Sequence, residues 1–426
     1  MKLKLATLAL GAVMAAAPAM ADLVFPSLSY RTGPYAAGGI PFADGYADYF
    51  TLLNERDGGI GGAKANVIEC ETGFNTEKGV ECYEATKNEG ALVYQPLSTG
   101  ITYQLIPKAS ADGIPVHSMG YGRTAAKNGD VFKWVFNYPV NYWDGASIAV
   151  KYLLSENGDS LAGKSIALVY HNSAYGKEPI RTLEALSEKH GFDLTLIAVD
   201  HPGQEQKSQW LQIRREKPDY ILMWGWGVMN QVAIQEAANI RFPMENFIGV
   251  WWSGAEIDVL PSGDKSNGYK ALNFSPVANY PVLDEIRSVV AGNGMAAGDG
   301  SNIGNVIYTR GVLAAMLAAE AVKTAQGIHG VADIDASMMR DGMEALEITE
   351  AKLEALGMSG IAPEFTISCE NHGGNGQAIV QQWDASAQSW NALTGYISSD
   401  NDVVGGLIAA DSAAYAAENG LEGNCN

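Results

Sequence analysis

Twice along its length the chain alternates short apolar runs with amphipathic stretches of helical spacing, and that alternation leaves few folds open to it. Strands joined by helices must lie parallel and stack as βαβ units. The first series opens with a strand over residues 23–28. A helix follows from about Pro41, with Phe42, Tyr46, Tyr49, Phe50 and Leu53 on one face and a stop at Asp57-Gly58-Gly59. Strands at 67–70, 91–94 and 116–118 alternate with helices at 76–88 and 101–110. The second series places helices at 144–154, 177–190, 206–215 and 228–240 between strands at 165–170, 194–199, 220–223 and 247–250.

Extended stretches at 131–140 and 268–276 flank the second series and suit a link between lobes better than the interior of either. Residues 281–356 read as helical, with Tyr308, Val312, Met316 and Ala319 in one apolar stripe that would return to the first lobe. The tail from Phe365, including 378–383, reads as short strands and loops rejoining the second. The expected fold class is therefore α/β: two Rossmann-like lobes with parallel sheets joined by a multi-strand hinge. One lobe takes residues 22–140 and 276–362, the other 141–275 and 363–426, with hinge rotation absorbed near Val140 and Asn273.

Residues 1–21 place Lys2 and Lys4 before an apolar run at 5–17 and end in Ala19-Met20-Ala21, the order of a cleaved secretory signal peptide. Its loss takes two lysines from a formal charge of −20, leaving −22. Such a balance disfavours nucleic acid, whose phosphates must be neutralised by Lys and Arg, and anionic lipid surfaces. No later segment is long and apolar enough to span a bilayer, and no lipobox cysteine follows the leader. An exported, freely diffusing protein of the periplasm is expected. Four cysteines suit an oxidising compartment, with Cys70–Cys82 and Cys369–Cys425 the simplest pairing as structural disulfides. Neither group has metal-ligand spacing, and no metal or cofactor is expected.

In an open parallel sheet, ligands bind beyond the carboxyl ends of the strands. Those positions here read Tyr30-Arg31-Thr32-Gly33-Pro34, Gln95-Pro96-Leu97-Ser98-Thr99-Gly100 and Met119-Gly120-Tyr121-Gly122-Arg123 in the first series. The second supplies His171-Asn172-Ser173-Ala174-Tyr175-Gly176, Trp224-Gly225-Trp226-Gly227 and Trp251-Trp252-Ser253-Gly254. Aromatic and hydroxyl residues beside glycines dominate.

The order and spacing of Thr32-Gly33-Pro34, the helix end Asn54 to Ile60, the Ser98-Thr99 turn, Tyr175-Gly176 and Trp224-Gly225-Trp226 carry a resemblance over nearly the whole mature chain. It resembles the branched-chain amino-acid (leucine/isoleucine/valine) binding proteins of ABC transporters, in the type I periplasmic-binding fold. The resemblance implies capture of a small solute by hinge closure and delivery to an inner-membrane permease, usually by a monomer. It also implies that Ser98 and Thr99 hold the ligand carboxylate with groups after the fourth strand, Tyr121 and Gly122. Tyr175 would close over the ligand and Trp226 would touch it. Helix capping by Ser98 or Thr99, and plain packing by Tyr175, are the bland alternatives.

Two departures matter. Where amino-acid binders place the acid that pairs with the ligand ammonium, this chain has Trp251 or Trp252, with Glu256 and Asp258 a few residues on. Either Glu256 supplies the acid or the ligand lacks an α-ammonium. In the second case Tyr121, Trp224, Trp226, Trp251 and Trp252 line an aromatic pocket, with at least two of the five expected to pack between lobes instead. The other departure is Arg31, which holds a carboxylate or pairs with Asp44 or Glu71. Ligand identity stays open among hydrophobic amino acids, aromatic acids, amides or ureas, and quaternary amines. Serine-hydrolase, zinc-protease and phosphate-loop motifs are missing, so an enzyme is not expected. A receptor sensing module is the remaining alternative, and it would normally continue into a membrane span.

Overall fold

A computed structural model describes residues 21–425, and the leader expected over 1–21 falls outside them save for Ala21. The first half-chain builds β1 (Leu23–Ser29), α1 (Ala36–Asp57), β2 (Ala65–Glu71), α2 (Thr76–Thr86), α3 (Thr99–Asp112), β3 (Val116–His117) and β4 (Val135–Phe136). Strands β1 and β2 pair in parallel, as do β3 and β4. Between them the expected strand at 91–94 forms isolated parallel bridges, Val24 to Ala91, Ser27 to Gln95 and Tyr94 to Val116. The order β2, β1, 91–95, β3, β4 is thus one parallel sheet, interrupted where Pro96 and the turn at Leu97 end the pairing.

The chain then crosses to α4 (Tyr142–Glu156), β5 (Ser165–His171), α5 (Ala174–Lys177), α6 (Ile180–His190), β6 (Asp193–Val199), α7 (Lys207–Glu216), β7 (Tyr220–Trp224), α8 (Val228–Asn239), β8 (Phe247–Gly249), α9 (Glu256–Val259) and β9 (Lys270–Asn273). The helix expected over 177–190 is two pieces, because Pro179 lacks the N–H that would continue the first. Residues 131–140 and 268–276 are not pure linkers. Val135 and Phe136 belong to the first sheet, and β9 pairs with β8 inside the second.

From β9 the chain returns through α10 (Pro281–Glu285), α11 (Val306–His329), α12 (Ala336–Glu344), β10 (Glu347–Ile348) and α13 (Glu350–Ala355). Helix α11 lies directly on α1. A side chain at Gly45 would stand 2.1 Å from the carbonyl oxygen of Tyr308, and one at Gly311 2.1 Å from that of Phe42. The third crossing passes β11 (Phe365–Thr366) and enters β12 (Gln377–Asp384), β13 (Ser389–Ala392) and β14 (Ile397–Ser398). The second sheet is eight-stranded, ordered β13-β12-β9-β8-β7-β5-β6 with β14 beside β12, and β12 runs antiparallel to β9.

The tail holds one element beyond the expected strands and loops: α14 (Asn401–Asn419), capped by the Asp400 carboxylate on the Val403 N–H and ended by Gly420. Its alanine-rich sequence has little amphipathic signature, which hid it from a periodicity reading. Asp411 on α14 meets Arg123 of the first lobe at 2.6 Å and Arg181 of the second at 3.2 Å. Both disulfides are present, Cys70–Cys82 and Cys369–Cys425, with Cα separations of 5.8 and 5.7 Å.

Because backbone, not a flexible side chain, faces Gly311, overpacking there cannot relax. Gly311→Val should cost about 3 kcal/mol in chemical denaturation. Gly327→Ala in the same helix, where an added Cβ meets nothing within 4 Å, should be neutral or stabilise by up to about 1 kcal/mol.

Candidate functional site

The carboxyl ends of the two sheets face one another, and between them lies a narrow, mostly apolar cavity. From the first lobe it is walled by Tyr30, Phe74, Leu97, Ser98, Thr99 and Tyr121; Tyr142, Tyr175, Trp226 and Trp252 complete it. No charged side chain is among them.

Ser98 is the N-cap of α3, its hydroxyl accepting the Ile101 N–H at 3.4 Å, and Thr99 is the first helical residue. The Thr99 hydroxyl accepts the Gly122 N–H at 3.2 Å. Both hydroxyls keep a hydrogen to donate, and the helix start adds the partial positive charge of its free N–H groups. Capping and lining of the cavity therefore coexist at Ser98. Tyr121 donates to Gln95 and accepts the Leu97 N–H at 2.7 Å, fixing the turn that aims Ser98. Tyr175 donates to the Gly225 carbonyl at 2.8 Å. The indole of Trp226 reaches across to the first lobe and lies where a side chain at Gly38 would have to be. Its Nε1–H is buried close to the Tyr30 hydroxyl, without a hydrogen bond of ordinary geometry. Burial raises the phenols of Tyr30, Tyr121, Tyr142 and Tyr175 well above their ordinary value, so each remains a protonated donor.

Six of the candidates named from sequence thus share one cavity: Ser98, Thr99, Tyr121, Tyr175, Trp226 and Trp252. Gly122, Trp224, Trp251, Glu256, Asp258 and Arg31 do not line it. Gly122 serves through its backbone only. Trp251 and Trp252 start a tight helical turn that sends successive side chains to different sides, so Trp252 reaches the cavity while Trp251 stacks on Tyr142 at 5.7 Å behind it. Trp224 is also buried away from the cavity, so two of the five candidate aromatics pack elsewhere. Glu256 turns to the start of α11, where its carboxylate accepts the Val306 N–H at 3.1 Å. Asp258 is occupied by Asn230 and the Ala255 N–H, both at 2.9 Å, and burial pushes it up to about 7. Arg31 pairs with Asp44 at 2.7 Å and Glu69 at 2.5 Å, while Glu71 takes its backbone N–H at 2.6 Å.

Sequence reading missed Phe74, Tyr142 and Arg310. Tyr142 opens α4, between the link expected at 131–140 and the helix expected from 144. Arg310 carries no local signal, being one cation within a long apolar helix. It is fully buried, donates to the Trp251 carbonyl at 2.5 Å and to Asn273 Oδ1 at 3.0 Å, and lies 5.2 Å from the ring centres of Trp252 and Phe274. Among the described residues no carboxylate lies within 4.0 Å of it. Burial lowers it only to about 9, so it stays charged at neutral pH, one ring's thickness behind the cavity wall.

Hydrogen bonds cross the cleft at several points. Gly120 O accepts both Trp251 Nε1 (2.8 Å) and Trp252 Nε1 (3.0 Å). Glu178 accepts from Tyr103 and from the Thr124 N–H at 3.3 Å. Tyr35 Oη meets His171 Nε2 at 2.8 Å and His201 Nδ1 at 3.1 Å, with Ser173 on the far side of the His171 ring at 2.8 Å. This is the closed form.

A two-lobe α/β protein whose strand-end surfaces enclose a small cavity is a ligand-capturing protein. The chain matches the model of the periplasmic binding protein family over residues 24–389. It is 38% identical to a protein from the Pseudomonas fluorescens group described as an ABC transporter permease, covering 95% of this chain and 99% of that one at a TM-score of 0.87. A branched-chain amino-acid ABC transporter protein from Thermus thermophilus with bound valine is 18% identical, covering 91% and 98% at a TM-score of 0.75. A solute-binding protein of an ABC transporter from R. palustris in complex with benzoate is 17% identical, covering 89% and 98% at 0.69. No curated protein sequence matches the chain. The chain belongs to the periplasmic binding protein family. Among the described residues no helix is long and apolar enough to cross a membrane.

The two imidazoles at Tyr35 set a pH dependence. Burial, then the charge of its neighbour, holds His171 down at about 3, and burial lowers His201 against the opposing pull of Asp200. Opening the cleft returns them toward their ordinary ~6.5, so the open form takes up protons that the closed form refuses. The imidazole contribution to closure is fully present above about pH 6.5 and is lost as pH falls below it, by itself raising ligand Kd about tenfold between pH 6.5 and 5. Glu178, which burial in the closed cleft pushes up to about 7, acts in the opposite direction over the same range. Titration calorimetry on wild type and His171→Gln separates the two: the variant should lose the imidazole part, so that its Kd falls relative to wild type as the pH is lowered.

Proposed function

We propose that this protein is exported to the periplasm, where it captures a small aromatic or otherwise flat monocarboxylate without an α-ammonium group and delivers it to an inner-membrane permease. The observation that carries the reading is the charge pattern of the cavity: no acid lines it, while the start of α3 and the hydroxyls of Ser98 and Thr99 stand at its wall. An amino acid buried here would leave its ammonium unpaired, which is costly in a desolvated site. The aromatic walls alone would also suit a quaternary amine. Arg310 tells against that, since a guanidinium already lies against Trp252 and would repel a second cation. The benzoate complex of the R. palustris relative is consistent with this choice at the level of fold.

Function follows from closure. The open form admits the ligand, the two strand-end surfaces bury it, and the ligand shifts the population by its preference for the closed state alone. We assign residues 22–140 and 276–362 to one lobe and 141–275 and 363–426 to the other, working as a monomer. The end of the tail also touches the first lobe, where the Asn424 N–H reaches Asp130 at 2.6 Å.

The test is a thermal-shift panel of benzoate, 4-hydroxybenzoate, leucine, phenylalanine, benzamide and glycine betaine, since a ligand of the native state raises its melting temperature. The arylcarboxylates should shift it and the others should not; a shift confined to leucine, or to betaine, sinks the reading. Ser98→Ala and Thr99→Val should each weaken benzoate binding about tenfold, and Trp226→Ala more, with each free protein melting within a few degrees of wild type.

A further inference from the structure

The enclosed cavity is not the end of the cleft. Beyond it lies a wider, solvent-open outer chamber between the lobes, walled by Thr76 and Gln104 on one side and Ser173 and His201 on the other. Three residues belong to both spaces, Phe74, Ser98 and Tyr175, so they form the neck between them. Ser98 and Tyr175 are held by the bonds already described. Phe74 is held by its backbone.

That backbone is unusual. Phe74 has φ +63°, in the left-handed region, directly after Gly73 at +58°. A bulky aromatic residue is strained there, and a glycine or asparagine would hold the same turn without that strain. The surroundings impose the conformation. Thr72 is bonded to the Ser29 carbonyl through its N–H (2.8 Å) and hydroxyl (2.9 Å), and its Oγ1 accepts the Phe74 N–H at 3.2 Å. Glu71 accepts the Gly73 N–H, and Asn75 caps α2, each at 2.9 Å. The Cys70–Cys82 disulfide closes the loop around the turn. Strain kept in place by so many contacts marks a position retained for its side chain. The ring sits half-buried against Tyr30 (5.0 Å between centres) and Tyr35 (4.4 Å).

We propose that Phe74 is the specificity-determining residue for ligand length: its ring closes the neck between the aromatic cavity and the outer chamber, and so limits ligands to those that end at the neck. The chamber beyond, lined by hydroxyl, amide and imidazole groups, accepts a neutral polar or short alkyl extension once the ring is removed. This rests on the reading of the cleft as a small-solute site, but not on which solute.

Two ligand series graded by length separate the questions: benzoate, phenylacetate, 3-phenylpropanoate and 4-phenylbutanoate, and the α-amino acids alanine, norvaline, norleucine and homophenylalanine. Each is titrated by calorimetry into wild type, Phe74→Ala and Phe74→Asn. Wild type should bind the shortest fitting member best. Both variants should lose that preference, gaining on the order of fourfold for each added methylene that enters the chamber. Phe74→Asn keeps the turn without the strain and should melt no lower than wild type, so a folding defect in Phe74→Ala does not obscure the result. Identical length profiles in wild type and Phe74→Asn, silence in both included, overturn the proposal. If amino acids bind and carboxylates do not, the monocarboxylate reading falls while the length profile still decides the role of Phe74.

Discussion

The carbonyl of Gly120 accepts the indole N–H groups of both Trp251 and Trp252, and the geometry of the cleft hangs on that shared acceptor. It joins a first-lobe turn to a second-lobe turn at the back of the cavity. Each such bond contributes only about 1 kcal/mol net, but either indole buried without an acceptor would cost about 1–3 kcal/mol. The pair therefore specifies how the lobes meet when closed. Arg310 reinforces it from behind by holding the Trp251 carbonyl and Asn273, so a helix of the first lobe grips the strand that leads out of the second. Opening must release these bonds, which is why a ligand has to contribute interactions of its own to hold the closed form.

The same arrangement sets the electrostatics of the site. Glu256 and Asp258 stand near the cavity in sequence but are committed to backbone and amide donors, and burial raises both. What remains at the cavity are two hydroxyls, the phenols of Tyr30 and Tyr142 kept neutral by burial, and the start of a helix. With a buried guanidinium behind Trp252, such a wall favours a compact anion over a zwitterion or a cation. The aromatic rings supply area and shape at little conformational cost.

Phe74, Tyr35 and His171 connect this chemistry to motion. The Phe74 ring packs on Tyr35, whose hydroxyl crosses to His171 and His201. Size selection at the neck and closure of the lobes thus share one cluster of rings. A ligand that displaces Phe74 would disturb the Tyr35 bonds, coupling poor fit to poor closure.

Much of this was legible in the sequence. Alternating strand and helix periods, with glycine stops, determine two parallel sheets, and the sheet rule then points to the turns holding Ser98, Thr99, Tyr121, Tyr175 and Trp226. Cysteine grouping determined both disulfides. What sequence could not carry was side-chain direction and long-range pairing. Whether Trp251 or Trp252 faces the ligand depends on one tight helical turn, and Glu256 is diverted by the start of a helix fifty residues on. Arg31 pairs with Asp44 and with Glu69 rather than Glu71, because the Glu71 carboxylate is taken by the backbone N–H groups of Arg31 and Gly73 and by the Thr32 hydroxyl. Arg310 and Phe74 became visible only when distant segments met around them. Local pattern decides which elements form and where their ends lie, because both follow from backbone propensity and apolar spacing. Which side chains share the cavity was decided by the tertiary structure, because it depends on how two separately folded lobes turn those ends toward each other.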